Sequence, residues 1–251
     1  MTGRKFEPGQ GGGLPGLGGF GGSIPRPTVL PGVSLGFSAQ QTYQPRAAAQ
    51  SKPAEPYRHA RTLNGKPIGL VPDFITEQER KTLLAFASAP DAPWETYLPK
   101  TDVWHGRMIN PRSMPPRILS VMEKIRKRTA SHIKKHYEIT DPVYADTLQL
   151  VRWRPGDNQS AHADCEEPDG RPNSTPWRAF ASIIYLNDEY EGGGIYFPER
   201  GLKPEIKPRT LAYFPSTNNY KHGVEAITSG LRYTFSCFYT FDKSRHDGHP
   251  V

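Results

Sequence analysis

The hydrophobic pattern of the chain changes near Tyr144, and this change limits the fold more than any other feature. Downstream of it, β-branched and aromatic residues recur in short runs separated by turn residues such as Pro155-Gly156 and Ser229-Gly230. Such runs are too short for helices, and the connections between them suit mostly antiparallel pairing. We therefore predict strands at 147–153, 179–186, 195–197, 210–214 and 231–239.

Helical periodicity precedes these strands. Thr76 followed by Glu79 forms a capping-box signature, which predicts a helix over 76–88. Pro115-Pro116 suits a first helical turn, and apolar residues then recur at spacings of three to five up to about His136. With a short strand at 68–71, this order of elements predicts a mainly β fold, a sandwich or a barrel, with helices packed on one side.

The first 61 residues differ in composition from the rest of the chain. Glycine dominates residues 9–22, prolines follow, and few large apolar side chains are available to offset the entropy of ordering the segment. We therefore predict a disordered, Gly/Pro-rich basic tail over 1–61 and one folded domain over 62–251. Within that domain, helices should provide support over 67–140 and the strands should form the core over 144–242.

Charge and apolar content argue against several classes of protein. The net charge is +7, but residues 1–61 hold seven basic and two acidic side chains, so the folded part carries only +2. This balance argues against nucleic acid as a partner of the domain and leaves only a weak contact through the tail. We interpret the basic stretch between Lys124 and Lys135 as a solvated helix face. No apolar run approaches 18 residues and no signal-peptide pattern opens the chain, so we expect a soluble, cytoplasmic protein with no membrane partner.

Three residues stand out as candidate metal ligands: His162, Asp164 and His222. Residues i and i+2 of a strand point to the same side, so the first two can reach one ion. Several predicted strands then separate them from His222, enough for the chain to return to the same end of a barrel. Two histidines and one carboxylate leave positions open on the ion, as in non-haem Fe(II) oxygenases, although a hydrolytic zinc site can also use three ligands. Arg232, ten residues past His222, adds a cation that suits a co-substrate with a remote carboxylate.

The motifs around these residues occur in a fixed order. They are LQLVRWRPG (148–156), IIYLN (183–187), GGGIYFP (192–198), LAYFPS (211–216), HGV (222–224) and GLRYT (230–234). Together with His162-x-Asp164, they resemble the prolyl 4-hydroxylase branch of the Fe(II)/2-oxoglutarate dioxygenases over roughly residues 68–242. The resemblance implies a double-stranded β-helix, that is, a jelly-roll or cupin-like barrel, with iron held at one mouth.

The resemblance also implies individual roles. The catalytic metal ligands for Fe(II) would be His162, Asp164 and His222. 2-Oxoglutarate and O2 would be co-substrates and ascorbate a reductant, and the far carboxylate of 2-oxoglutarate would pair with Arg232, with Tyr185 and Thr234 adding hydroxyl groups. Arginine at this anchor is typical of the oxygen-sensing, hypoxia-type prolyl hydroxylases, whereas the collagen type usually carries lysine.

The reaction implied is hydroxylation, because Asp164, which halogenating relatives lack, is present. The expected substrate is a prolyl residue of a peptide or protein. The alternatives are a free amino acid or another small molecule, and a jelly-roll module that binds without catalysis. Trp153 and Gln159 stand where tyrosines are frequent in the family, and Phe238 stands where hypoxia-type enzymes carry tryptophan, so these positions leave the substrate open.

Overall fold

The computed structural model of the chain describes residues 60–96, 98–100, 102 and 104–247. The predicted disordered tail lies outside these residues except for its last two positions. Ala60 is fully buried and Arg61 forms an ion pair with Glu166 at 2.7 Å, so both already pack on the folded part. Neither helix within the described ranges has the length and apolar character needed to span a bilayer.

Apart from a short helical piece at residues 60–62, the described part of the chain contains two α-helices and eleven strands. Helix α1 is Glu77–Ala87 and helix α2 is Pro116–Tyr137. The strands are β1 Gly69–Val71, β2 Met108–Ile109, β3 Tyr144–Trp153, β4 Gln159–His162, β5 Arg178–Tyr185, β6 Tyr190–Gly192, β7 Ile195–Tyr196, β8 Leu211–Pro215, β9 His222–Val224, β10 Ile227–Gly230 and β11 Arg232–Thr240.

The helix predictions are confirmed. The hydroxyl of Thr76 accepts a hydrogen bond from the Glu79 backbone N–H at 3.1 Å, and the Glu79 carboxylate accepts one from the Thr76 N–H at 2.8 Å. This reciprocal pair satisfies N–H groups that have no partner within the helix, which is why α1 begins there. Helix α2 begins at Pro116, which needs no N–H partner in a first turn.

The strands form one large and two small antiparallel sheets. The large sheet has the order β1-β8-β5-β11-β3-β2, the second has the order β4-β9-β7, and β10 pairs with β6. All five predicted strands of the core are present, each within three residues of its predicted ends. The mainly β, double-stranded β-helix prediction is confirmed.

Alternation along β11 separates the core from a cavity, because successive side chains of a strand point to opposite faces. One face packs in the core beneath the helices, through Tyr233, Phe235, Cys237 and Tyr239. The other face lines the cavity between the large sheet and the β4-β9-β7 sheet, through Arg232, Thr234, Ser236 and Phe238. The helices therefore support the back of the sheet whose front carries the candidate site.

Helix α2 supplies most of the helical contribution to that core, and its apolar stripe includes Ile118, Met122, Ile125 and Ile133. The interpretation of its basic stretch as a solvated face is wrong for Arg126, whose side chain is only 2% exposed. Arg126 pairs with Glu123 on the same helix and with Asp247 at 2.6 Å, 121 residues further along the chain. A buried charge is tolerated only when it is paired, and these carboxylates provide the pairing.

Candidate active site

The three candidate metal ligands meet on the β4-β9-β7 sheet. His162 ends β4, His222 begins β9, and the two residues pair directly across these strands. Asp164 follows two residues after β4, where its backbone N–H donates to the carbonyl of Ser216 at 3.0 Å. One potential ligand atom of each residue lies within 4.8 Å of the other two. In the described part of the chain, this is the only group of three histidine, cysteine or acidic side chains placed to hold an ion.

Backbone carbonyls fix the orientation of both imidazoles. The Nδ1 atom of His162 lies 3.0 Å from the carbonyl oxygen of Ser160, and that of His222 lies 3.2 Å from the carbonyl oxygen of Tyr220. Because a carbonyl only accepts hydrogen bonds, each Nδ1 carries the hydrogen and each Nε2 keeps a lone pair. Ligating histidines are commonly held in this way, with the second ring nitrogen donating to a carbonyl or carboxylate.

Burial and charge set the protonation of the cluster. Burial lowers the pKa of His222 from 6.5 to about 4, so this imidazole is neutral near pH 7. Burial opposes ionisation of Asp164, but the neighbouring imidazoles outweigh it and lower the pKa of the carboxyl group. At His162, burial opposes protonation, while the hydrogen bond and the charge of Asp164 raise the pKa. A neutral His222 and an ionised Asp164 are the forms that bind metal ions.

The cluster fits a divalent iron. The Oδ2 atom of Asp164 is buried without a hydrogen-bond partner, and its Oδ1 lies 3.6 Å from His162 Nε2. A buried carboxylate oxygen without a partner is costly, and a cation coordinated there would compensate it. Two imidazoles and one carboxylate also leave coordination positions open, as the non-haem Fe(II) triad requires.

A cavity of about 410 Å³ adjoins the cluster. Its walls come from the large sheet through β3, β5 and β11, and from the smaller sheet through β4 and β9. The volume lies within the usual range of small-molecule sites, roughly 300–1,000 Å³. The cavity can therefore hold ligands beside the bound metal.

Arg232 lies on the wall of this cavity and is 1% exposed. Its Nε and Nη1 atoms are buried without hydrogen-bond partners, and no ion pair found within the described ranges includes it. The guanidinium carbon lies 4.8 Å from the ring centroid of Tyr185 and 5.3 Å from that of Trp153. A buried guanidinium with free donors is costly until an anion pairs with it, and a carboxylate matches its planar geometry.

The other two predicted co-substrate residues lie next to Arg232. Tyr185 on β5 and Thr234 on β11 are directly paired across the strands, and both are buried. The Tyr185 hydroxyl has no hydrogen-bond partner; burial raises its pKa, and the Arg232 charge offsets part of that rise. Gly193 passes close by with φ +63°, and a Cβ there would overlap Ile227 and lie 3.4 Å from the Arg232 Cδ. The glycine motif thus allows the backbone to pass beside Arg232.

The three positions that depart from the family, Trp153, Gln159 and Phe238, all line the cavity. The amide nitrogen of Gln159 lies 3.3 Å from His162 Nε2. The guanidinium of Arg178 lies 3.7 Å above the Phe238 ring and forms an ion pair with Asp146 at 3.3 Å. The departures therefore fall on the surface that a substrate would contact.

Glu166, which the sequence alone does not indicate, connects the two segments that carry the candidate ligands. Its side chain is buried; Oε1 accepts from Arg61 Nε at 2.7 Å and Oε2 from the Asn218 backbone N–H at 2.7 Å. This ties the segment after Asp164 to the turn before His222. No local motif identifies Glu166, because its partners lie 105 and 52 residues away in sequence.

Comparisons with known proteins agree with this geometry. Residues 148–240 match the family model described as the 2OG-Fe(II) oxygenase superfamily. Prolyl 3-hydroxylase 1 of Rattus norvegicus is 28% identical over 145 residues, a match covering 49% of this chain and 19% of that protein. The viral collagen prolyl hydroxylase of Paramecium Bursaria Chlorella virus-1, solved as a 2-oxoglutarate complex, has a TM-score of 0.55 at 20% identity and covers 71% of this chain and 98% of its own. A Trichoplax adhaerens prolyl hydroxylase in complex with a hypoxia inducible factor oxygen degradation domain peptide fragment has a TM-score of 0.55 at 15% identity, covering 77% and 94%.

The barrel, the candidate ligand cluster and the match of residues 148–240 all agree with the 2OG-Fe(II) oxygenase superfamily, a family that needs Fe(II), 2-oxoglutarate and O2. The similar proteins described above are all prolyl hydroxylases. The chain spans about a fifth of the length of the curated relatives it matches.

Proposed function

We propose that the chain is a hydroxylase that uses Fe(II), 2-oxoglutarate and O2 and acts on prolyl residues of a peptide or protein. One observation carries this proposal: a single cavity is lined by the His162, Asp164 and His222 cluster and also by the buried, unpaired Arg232. A hydrolytic metal site would need the ligands alone. A dicarboxylate co-substrate that chelates the metal at one end and ends in a second carboxylate needs both features.

In this proposal, the residues of the site have separate roles. His162, Asp164 and His222 would hold Fe(II), which when bound supplies O2 activation and the oxidative decarboxylation of 2-oxoglutarate to succinate and CO2. One oxygen atom of O2 enters succinate and the other becomes the hydroxyl group of the product, so the reaction is balanced. Closing this cavity with substrate would exclude water from the reaction.

Arg232 would bind the far carboxylate of 2-oxoglutarate through two parallel N–H···O bonds, which a lysine cannot form. The hydroxyl groups of Tyr185 and Thr234, adjacent on neighbouring strands, would add hydrogen bonds to the same carboxylate. We therefore assign the chain to the arginine-anchored type. Arg232→Lys should bind 2-oxoglutarate more weakly even though the charge is kept.

A prolyl substrate is supported by the relatives and by the cavity wall. The similar proteins are prolyl hydroxylases, and one was solved with a peptide. Trp104, Trp153 and Phe238 present aromatic surface to the cavity, and prolyl rings pack well on aromatic surfaces.

The test combines the full chain with Fe(II), 2-oxoglutarate, ascorbate, O2 and a library of proline-containing peptides. Succinate should form together with a peptide that has gained one oxygen atom, and NMR of the product identifies the ring carbon. Asp164→Ala should abolish turnover, whereas Asp169→Ala, at an exposed aspartate five residues away, should keep it. Oxidation of free amino acids alone would favour a small-molecule substrate, and the lack of iron-dependent turnover with any substrate would contradict the catalytic proposal.

A further inference from the structure

The Arg232 end of the cavity has hydrogen-bond donors without acceptors. The Arg232 Nε and Nη1 atoms and the Trp153 Nε1 atom are buried there and have no hydrogen-bond partner. Arginine and tryptophan side chains can only donate hydrogen bonds. A ligand that satisfies this end must therefore bring several acceptor oxygens, as a carboxylate does.

Trp153 is the direct strand partner of the anchor. It ends β3 and pairs with Arg232, which begins β11. Trp153 is 4% exposed and lines the same cavity as Arg232 and Thr234. A ligand that reaches the Arg232 guanidinium comes close to this indole.

Two neighbours hold the indole ring. The Arg107 guanidinium carbon lies 4.0 Å from the Trp153 ring centroid, and Trp104 meets the ring edge-on with 6.0 Å between centroids. Arg107 is itself buried, with Asp157 at 3.6 Å, and its carbonyl accepts from the Arg152 N–H at 2.9 Å. Cation–π contact in a buried site restrains the ring that it covers.

We propose that the Trp153 indole N–H donates a hydrogen bond to the carboxylate that Arg232 binds, and that Arg107 is the positioning residue that orients the indole. This inference rests on the proposed function, since the ligand is the 2-oxoglutarate anchored at Arg232. A hydrogen bond to a charged group is strong enough that its loss weakens binding by roughly 10- to 100-fold. The tryptophan at this position then has a ligand-binding role in addition to its packing.

The test measures 2-oxoglutarate binding by calorimetry on the full chain loaded with Zn(II), which binds the cluster without redox chemistry. Trp153→Phe keeps an aromatic ring but removes the N–H, and should raise the Kd of 2-oxoglutarate about 10-fold or more while the Kd of Zn(II) stays unchanged. Trp94→Phe is the matched control, in which the Kd of 2-oxoglutarate should stay within about twofold of the wild type, since Trp94 packs against Tyr233 and does not line this cavity, and the Trp153 N–H remains. Arg107→Lys should give an intermediate loss. An unchanged Kd in Trp153→Phe would overturn the inference.

A second measurement avoids mutation of the indole. The chain has four tryptophans, so an ¹⁵N-labelled sample shows up to four indole N–H signals in NMR. The Trp153 signal, assigned from Trp153→Phe or by selective labelling, should shift downfield when 2-oxoglutarate is added to the Zn(II) form. The Trp177 indole already donates to Asp146 at 3.1 Å and should stay in place. The proposed function fails if the wild type binds no 2-oxoglutarate, or if Arg232→Met binds it as tightly as the wild type does. Only this inference fails if Arg232→Met loses binding of 2-oxoglutarate while the Trp153 signal of the wild type does not shift on its addition.

Discussion

Replacing Arg232 by methionine should stabilise the ligand-free protein while removing its affinity for 2-oxoglutarate. Arg232 is 1% exposed, and its two buried unpartnered donors each cost about 1–3 kcal/mol. Against this, the substitution removes cation–π contacts with Tyr185 and Trp153, each worth about 0.5–2 kcal/mol. The balance favours Arg232→Met by about 1–2 kcal/mol, a rise in Tm of roughly 2–8 °C for a domain of this size.

Urea unfolding of the metal-free and ligand-free protein measures the free energy, and calorimetry on the Zn(II) form measures 2-oxoglutarate binding. Arg209→Met is the control, because Arg209 donates to the Ile75 carbonyl at 2.8 Å and pairs with Asp73 at 3.2 Å. That variant should lose about 1 kcal/mol of stability and keep its affinity. A clear loss of stability in Arg232→Met, with binding retained, would refute the reasoning that this buried charge is held for a ligand.

Three further predictions concern the surroundings of the site. Glu166→Gln should weaken Zn(II) binding several-fold in a metal titration, because the tie between the two ligand segments loses its charge, whereas Glu167→Gln, at an exposed neighbour, should not. Gly223→Ala should lower the free energy of unfolding by about 1–3 kcal/mol in urea, because the new methyl group would overlap the Tyr196 ring; wild-type stability would contradict the tight packing beside the second histidine ligand. Burial opposes ionisation of Glu79, but hydrogen bonds from Arg128 on α2 and from the N-cap residue Thr76 lower the pKa of Glu79 below 4.5. The contribution of Glu79 to stability is therefore present above pH 4.5 and is lost as the pH falls through the lowered pKa. In circular-dichroism acid titrations, Glu79→Gln should therefore lose stability at pH 7 and show a weaker pH dependence below 4.5 than wild type.

Local signals predicted most of the regular structure. The capping box at Thr76 and Glu79 is complete within four residues, so sequence alone locates the start of α1. The strands β3, β5 and β11 are long enough for their composition to identify them. Strands β2, β6 and β9 have three residues or fewer, too short for any periodicity to be recognised. These short strands form only through pairing with partners that the sequence does not identify.

The same distinction applies to the candidate site. The residue types and spacing of the candidate ligands and of Arg232 match a chemical requirement, which is why sequence alone indicates them, and the structure brings the three candidate ligands together. Long-range partners were not predicted. From the sequence, Arg126 is one more basic residue of a predicted solvated helix face, and only the structure shows Asp247 beside it. Likewise, nothing near Arg107 in sequence indicates that its guanidinium covers Trp153.

The pairing of His162 with His222 has a consequence for local stability. Strands β4 and β9, which carry them, have four and three residues, whereas β3 and β11 pair along most of their length. Short runs of paired strand residues open at a lower free-energy cost than long ones. Strands β4 and β9 should therefore exchange their amide hydrogens before the large sheet does. A bound ion cross-links the two strands and closes a loop of 60 residues, and each increase in free metal concentration above Kd makes opening harder. If His162 and His222 hold the ion as proposed, the rigidity of these two strands would depend on metal supply as well as on the packing of the chain.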